Sequence, residues 1–178
     1  EPVRGWLERM RRVWSPPAGL EVEVAMGLAG AELPRYVPVV ETKPHIYVPT
    51  DPLDGELVTA GRADLLLSAG EIVLVDDIKT GNGYLGDPKL LRQLLAQGIA
   101  ATLRAKAAGF LPGIYYARLG MFDRGDGEPI WRGSDEWDQA WGFVAEAAHM
   151  PAEPRPGPWC LSCWDKNDCA AFPGREAA

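Results

Sequence analysis

Residues 57–79, LVTAGRADLLLSAGEIVLVDDIK, decide the fold of this chain. The second half, residues 72–79, is a β-branched, apolar run that turns polar at its end, which is typical of a buried strand. The first half, residues 57–67, has the composition of another strand, in which Gly61 indicates a bulge or the close approach of another backbone. Residues 68–71 supply the turn between them. We therefore predict a β-hairpin here.

This hairpin carries two carboxylates, Asp64 and Asp77, and Lys79 follows the second of them. Because strand side chains alternate between faces, Asp77 and Lys79 project to the same side. A hard cation such as Mg²⁺ binds oxygen atoms, usually those of one or two carboxylates together with water and phosphate. We therefore expect a Mg²⁺ or Mn²⁺ site whose ligands are Asp64, Asp77 and the main-chain carbonyl of Ile78. The metal would lower the pKa of a bound water, and Lys79 would orient that water or stabilise the transition state.

A simpler alternative is that Asp77 and Lys79 form an ordinary ion pair at the end of a strand. Polar residues at the end of a buried strand are costly unless something compensates them. This cost favours the metal-site interpretation.

The order of these residues resembles a known family. Gly-x-x-Asp at 61–64 is followed by an apolar strand that ends in Asp-x-Lys-Thr-Gly at 77–81. This pattern is similar to that of the RecB-like exonuclease branch of the PD-(D/E)XK nuclease superfamily, and the similarity extends over most of the chain. The resemblance implies a restriction-endonuclease-like core, metal ligands at Asp64 and Asp77, and a catalytic lysine at Lys79.

The same branch carries a Gln-x-x-x-Tyr motif on a helix after the catalytic strand. Gln93 matches the glutamine, so the resemblance implies a catalytic role for it, whereas Gln97 stands where the family has tyrosine. A solvated helix position is the alternative for Gln93. The branch also has a histidine ligand on a helix before the first core strand, a place that neither His45 nor His149 takes.

All three cysteines lie close together, at Cys160, Cys163 and Cys169. Clustered thiols in a chain with no other cysteine indicate metal ligation rather than a disulfide framework. Their spacing resembles part of the iron–sulfur site of AddB-like and CRISPR-associated RecB-family exonucleases, which implies a [4Fe–4S] cluster at these residues. Such a cluster normally takes four thiolates, and we expect the fourth in a segment preceding Glu1. The alternatives are a zinc site completed by His149 and three free thiols.

The composition is that of a folded domain. A chain of 178 residues that is 47% hydrophobic can bury one sizeable α/β core. The sequence contains no run of 18 apolar residues, and clustered thiols indicate a reducing compartment, so we expect a cytoplasmic protein that does not associate with membranes. A net charge of −7 argues against a general nucleic-acid coat, whose affinity would come from Lys and Arg, but not against a nuclease. The basic residues available for contacts with a DNA backbone are Arg62, Lys89, Arg92, Arg104, Lys106 and Arg118, and we expect most of them to be ordinary solvated charges and one or two to touch a backbone.

The remaining patterns predict a central mixed β-sheet flanked by helices, in the α/β class. We expect helices over residues 2–14, 87–109 and 134–148, and extended segments over 20–28, 36–48 and 113–119. The helix between the strands at 72–79 and 113–119 predicts that these two strands pair in parallel. We assign residues 1–150 to a nuclease core and 151–178 to a proline-rich connector and cysteine segment.

Two functions are consistent with these patterns. The first is a divalent-metal-dependent DNA nuclease, an exonuclease that acts on DNA ends or single strands in repair, recombination, or phage- or CRISPR-related processing. Helicases and recombination or CRISPR proteins are its expected partners. The second is a non-catalytic nucleic-acid-binding or scaffolding module that retains the nuclease fold. The complete set of Asp64, Asp77 and Lys79 favours the enzyme.

Overall fold

The computed structural model describes residues 19–149, apart from 31, 54 and 81–86, and includes the side chains of the last helix as far as Glu146. The predicted helix at 2–14 and the cysteines Cys160, Cys163 and Cys169 lie outside the described residues. The boundary expected at residue 150 also lies outside them. Those three expectations stay predictions.

A mixed β-sheet forms the centre of the described part. The strands are β1 (Leu20–Ala29), β2 (Arg35–Val37), β3 (Val39–Lys43), β4 (Ile46–Pro49), β5 (Leu57–Ala69), β6 (Ile72–Lys79), β7 (Gly109–Tyr116), β8 (Met121–Asp123) and β9 (Ile130–Trp131), and the helices are α1 (Arg92–Ala105) and α2 (Asp135–His149). The strand order is β2-β1-β5-β6-β7-β8, with β9 also paired to β7, and β3 and β4 form a separate two-stranded sheet. The pair β6–β7 is parallel and the other described pairs are antiparallel. The predicted α/β class, with a mixed sheet flanked by helices, is confirmed.

The predicted hairpin is present as β5 and β6. Its register runs from Ala69 opposite Ile72 to Leu65 opposite Asp76. The turn is shorter than the expected 68–71, because Gly70 adopts a positive φ of 64° that closes the chain within two residues. The parallel pairing of β6 with β7, reached through α1, also agrees with the prediction.

Alternation along β6 determines what lies on each face of the sheet. Val73 and Val75 belong to the main core, which also contains apolar residues of α1 and α2. Leu74 belongs to a different cluster with Leu67 and Leu111. Since side chains alternate, Asp77 continues the face that packs against the helices.

Close contact between α1 and the sheet depends on a glycine. A Cβ atom at Gly98 would overlap the aromatic ring of Phe110 on β7, so only glycine permits this approach. On its other side Phe110 meets Trp137 of α2 edge to face, with 6.1 Å between ring centroids. Trp137 and Trp141 are both 5% exposed, which agrees with the expectation that the tryptophans of this helix are core residues.

The helix expected over residues 87–109 is wrong in extent. A 3₁₀ turn at Pro88–Leu90, capped by the Asp87 carboxylate, precedes α1, and the extended backbone of Leu91 separates the two. The helix ends where Lys106 turns left-handed, with φ of 54°. Gly109 already belongs to β7.

Two predicted strands also differ from the observed ones. The strand expected at 113–119 begins earlier and ends at Tyr116, because a turn occupies the residues after it. The extended segment expected at 36–48 is divided among β2, β3 and β4. His45 lies exposed between β3 and β4, with φ of 63°.

Among the described residues, no helix combines the length and the apolar character needed to cross a membrane.

Candidate functional site

The candidate site lies where β5 and β6 separate. The last residues paired between the two strands are Leu65 and Asp76. Beyond them, β6 continues against β7 as far as Lys79, so its other edge needs new partners. The backbone N–H of Ile78 donates to Asp64 Oδ2 at 2.7 Å. The Asp64 carboxylate therefore takes the place of a strand partner and is held beside the end of β6.

Asp77 and Lys79 lie together on one face of β6, as alternation predicts. Lys79 Nζ is 2.6 Å from Asp77 Oδ2. Asp77 is 4% exposed, whereas about a third of the Lys79 side chain, 32%, is exposed. Burial raises the pKa of Asp77; the Lys79 ammonium opposes this shift, and the negative charge of Asp64 adds to it. The hydrogen bond from the backbone N–H of Ile78 to Asp64 holds the Asp64 carboxylate beside the residue that follows Asp77.

Gln93 reaches the same carboxylate from the first turn of α1. Its Nε2 lies 3.4 Å from Asp77 Oδ1, which is long for a hydrogen bond. Gln93 is also exposed to solvent, so it both occupies a solvated helix position and contacts the site. The structure thus brings together all the residues predicted for the hairpin site, including Gln93.

The donor set fits a small, hard divalent cation. Asp64 and Asp77 provide carboxylate oxygens, and the backbone of Ile78 lies beside Asp64. Asp77 Oδ2 is buried and makes no hydrogen bond, although it is paired with the Lys79 cation. In the described part of the chain, no group of three or more His, Cys, Asp or Glu residues is arranged to hold a metal. Two carboxylates match the usual protein share of Mg²⁺ or Mn²⁺ ligation, in which water and phosphate oxygens supply the other ligands.

A second acidic residue of β6, Asp76, faces away from the site and is held by Arg124. Arg124 Nη2 lies 2.9 Å from Oδ1 and 3.0 Å from Oδ2 of this carboxylate. Asp76 is 1% exposed, and burial raises its pKa to about 6 against the attraction of the guanidinium. Alternation could have placed Asp76 on this face. No sequence signal points to Arg124, which lies 48 positions further along the chain.

Gln97, which stands where the Gln-x-x-x-Tyr motif has tyrosine, is buried and makes a structural contact. It is 5% exposed, and its Nε2 donates to the carbonyl oxygen of Arg62 at 2.8 Å, which joins α1 to β5. The bulge or close approach expected at Gly61 is wrong. Gly61 pairs with Met26 in regular register, and a Cβ there would meet nothing within 4 Å, because open space lies above it.

Several of the predicted DNA-binding side chains are already paired with carboxylates. Arg62 lies 3.2 Å from Glu41, Lys89 3.0 Å from Asp126 and Arg104 2.7 Å from Glu21. At least one partner of each pair is partly exposed, which limits the strength of the pair, and the contacts with DNA stay predictions.

Comparisons with protein-family models, curated proteins and solved structures give no match to this chain.

Proposed function

We propose that this chain is a divalent-metal-dependent nuclease of the RecB-like branch of the PD-(D/E)XK superfamily, which hydrolyses DNA as an exonuclease at ends or in single strands. The observation that carries this proposal is the arrangement of Asp64, Asp77 and Lys79 where β5 and β6 separate. It supplies two carboxylates and one cation in a partly buried setting, which is the set that phosphodiester hydrolysis needs.

The residues of the site divide the work of this reaction. Asp64 and Asp77 would hold Mg²⁺ or Mn²⁺, with the Ile78 carbonyl as the third protein oxygen. When bound, the metal lowers the pKa of a water molecule and neutralises charge on the phosphate. The ammonium of Lys79 stabilises negative charge that develops on the phosphate oxygens, and Gln93 orients Asp77 through its amide. The attacking water gives up a proton and its oxygen joins the phosphorus, while the bond to the leaving oxygen breaks and that oxygen takes up a proton.

The test is cleavage of end-labelled DNA by the whole chain in Mg²⁺ or Mn²⁺, with EDTA as the control. We expect metal-dependent loss of linear single-stranded DNA and no cleavage of a circular single strand, which has no ends. Duplex DNA and RNA of the same sequence test the substrate class. Cleavage of the circle would overturn the exonuclease assignment. Binding of Mn²⁺ and DNA without cleavage would overturn the assignment as an enzyme and would favour the non-catalytic nucleic-acid-binding module.

We also propose that Cys160, Cys163 and Cys169 supply three of the four ligands that a [4Fe–4S] cluster normally takes. What supports this is the clustering of all three thiols of the chain within ten residues. The test is analysis of iron, acid-labile sulfide and zinc in anaerobically purified protein. Iron and sulfide in equal amounts, both lost from a variant with all three cysteines changed to serine, support the cluster. Stoichiometric zinc without sulfide supports the zinc site. The absence of both iron and zinc would indicate three free thiols.

A further inference from the structure

A cavity of about 270 Å³ adjoins the candidate metal site. Much of its wall is apolar, formed by side chains of β1, β5, α1 and α2: Met26, Leu28, Val58, Ala96, Ala100 and Val144. Gln93 lines this cavity and also contacts Asp77, so the cavity and the metal site share one side chain. A ligand in the cavity would therefore lie next to a phosphate held at the carboxylates.

Gly61 lines the same cavity without a structural reason to be glycine. Its φ lies outside the left-handed region, its pairing with Met26 is regular, and a Cβ would meet nothing within 4 Å. Glycine in the interior of a strand weakens it, and one of the few reasons for such a glycine is the close approach of a ligand to the backbone. The open space above Gly61 is the cavity itself.

Gln97 lines the cavity and has an unsatisfied acceptor. Its Nε2 donates to the Arg62 carbonyl, which fixes the orientation of the amide and assigns the other atom as oxygen. That atom, Oε1, is buried and has no hydrogen-bond partner among the residues that the structure describes. A buried acceptor without a partner is costly unless a ligand completes it. Oε1 has almost no accessible surface, so a ligand that carries a donor would complete it only after the Gln97 amide moves toward the cavity.

We propose that this cavity is a subsite for an unpaired nucleobase next to the phosphate that is cleaved. The apolar wall and the bare backbone of Gly61 would contact the faces of a flat ring, and Gln97 Oε1 would accept an N–H from its edge. Because the edge that a base uses for pairing is then engaged by the protein, the base must come from a single strand. This inference rests on the proposed function, since it takes the ligand to be part of the same DNA strand.

Gly61→Val is the variant that tests the subsite most cleanly. The valine side chain fills the cavity from a position with free space, and a β-branched residue suits a strand, so we expect the fold to be retained. Gly142→Val is the matched control, because Gly142 on α2 is exposed and its Cβ would also meet nothing within 4 Å. Gln97→Met keeps the length of the side chain and removes the acceptor, but it also removes the bond from Nε2 to the Arg62 carbonyl, so its free energy of unfolding is measured beside its binding.

The measurement is fluorescence anisotropy with a labelled single-stranded 12-mer, and with the same strand lacking one base at each position in turn. We expect about tenfold weaker binding of the normal strand by Gly61→Val and Gln97→Met, and unchanged binding by Gly142→Val. At one position of the strand, removal of the base should weaken binding of that strand by the wild type by a similar factor. Binding of the same strand by Gly61→Val should not change when this base is removed. Mn²⁺ affinity should be equal in all four proteins. Equal binding of the normal strand by Gly61→Val and the wild type would overturn the subsite.

A second readout separates this inference from the nuclease assignment. Titration of the wild type with dCMP, followed by NMR, should shift signals of Gly61 and Gln97, and Gly61→Val should abolish the shifts. Binding of dCMP there without any DNA cleavage would overturn the proposed function and retain the subsite. Metal-dependent cleavage without such shifts would overturn the subsite and retain the function.

Discussion

The backbone N–H of Ile78 donates to Asp64 Oδ2 at 2.7 Å, at the point where β5 and β6 separate. This one contact couples the fold to the site. It gives the edge of β6 a partner, and it holds one carboxylate beside the strand that carries the other. Asp64 therefore has a structural task and a proposed metal-binding task, and substitutions can separate them.

Changing Asp64 to asparagine should separate these tasks. Asp64→Asn keeps an oxygen that accepts from Ile78 and removes the charge, so we expect little change in the free energy of unfolding. Asp64→Ala leaves the N–H without this acceptor and should lower that free energy by about 1 kcal/mol or more. Mn²⁺ affinity should fall by at least about tenfold in both. Urea unfolding and Mn²⁺ titration check this, and equal stability of the two variants would contradict the structural task.

Lys79 should contribute to the rate rather than to metal binding. Lys79→Met should lower kcat by about 10²- to 10³-fold, because a cation close to the reacting phosphate is lost. Mn²⁺ affinity should be retained, since both carboxylates stay. Lys43→Met, at an exposed lysine of β3, is the matched control. A kcat of Lys79→Met equal to that of the control would show that Lys79 is only an ion-pair partner.

Asp76 should make the protein less stable as the pH rises through the acid range. Burial raises its pKa from 3.8 to about 6, so between these pH values the folded state binds more protons at this carboxyl than the unfolded state does. The free energy of unfolding therefore falls as the pH rises across this window. Thermal unfolding at pH 4 to 7 should show a steeper fall for the wild type than for Asp76→Asn. Asp77, whose pKa is also raised, contributes in the same direction to both proteins. Identical slopes for the two proteins would contradict the assignment.

Gly98 should be intolerant of even one added methyl group. Gly98→Ala forces a Cβ into the ring of Phe110, so α1 or the ring must move, at a cost of about 1–3 kcal/mol. Gly142→Ala is the matched control, in which better helix propensity should stabilise by up to about 1 kcal/mol. Urea unfolding of both variants checks this. A free energy of unfolding of Gly98→Ala that is as high as that of Gly142→Ala would show that the contact with Phe110 does not limit the residue at position 98.

The hairpin and its carboxylates could be predicted from sequence because they depend on local rules. A period of two places Asp77 and Lys79 on one face, and Gly70 closes the turn. The start of α1 at Arg92 could not be predicted from sequence. Leucine is a good helix former, so nothing in the sequence shows that Leu91 adopts the extended backbone that separates α1 from the preceding turn.

Other features of the site depend on residues that are far apart in the chain. The separation of β5 from β6 after Leu65 has no marker in either strand. The contact of Arg124 with Asp76 and that of Gln97 with the Arg62 carbonyl span 48 and 35 positions. The prediction of a bulge at Gly61 is wrong because composition does not distinguish a glycine beside a cavity from a glycine at a bulge.

The most direct test of the central claim is the release of mononucleotides from labelled single-stranded DNA in Mg²⁺ by the wild type, Asp77→Asn and Asp138→Asn. Asp77→Asn removes one charge from the proposed metal site, whereas Asp138 is exposed on α2 and controls for the same chemical change. The account predicts release by the wild type and Asp138→Asn, and release by Asp77→Asn lowered at least about 10²-fold. Equal release by all three proteins would contradict it.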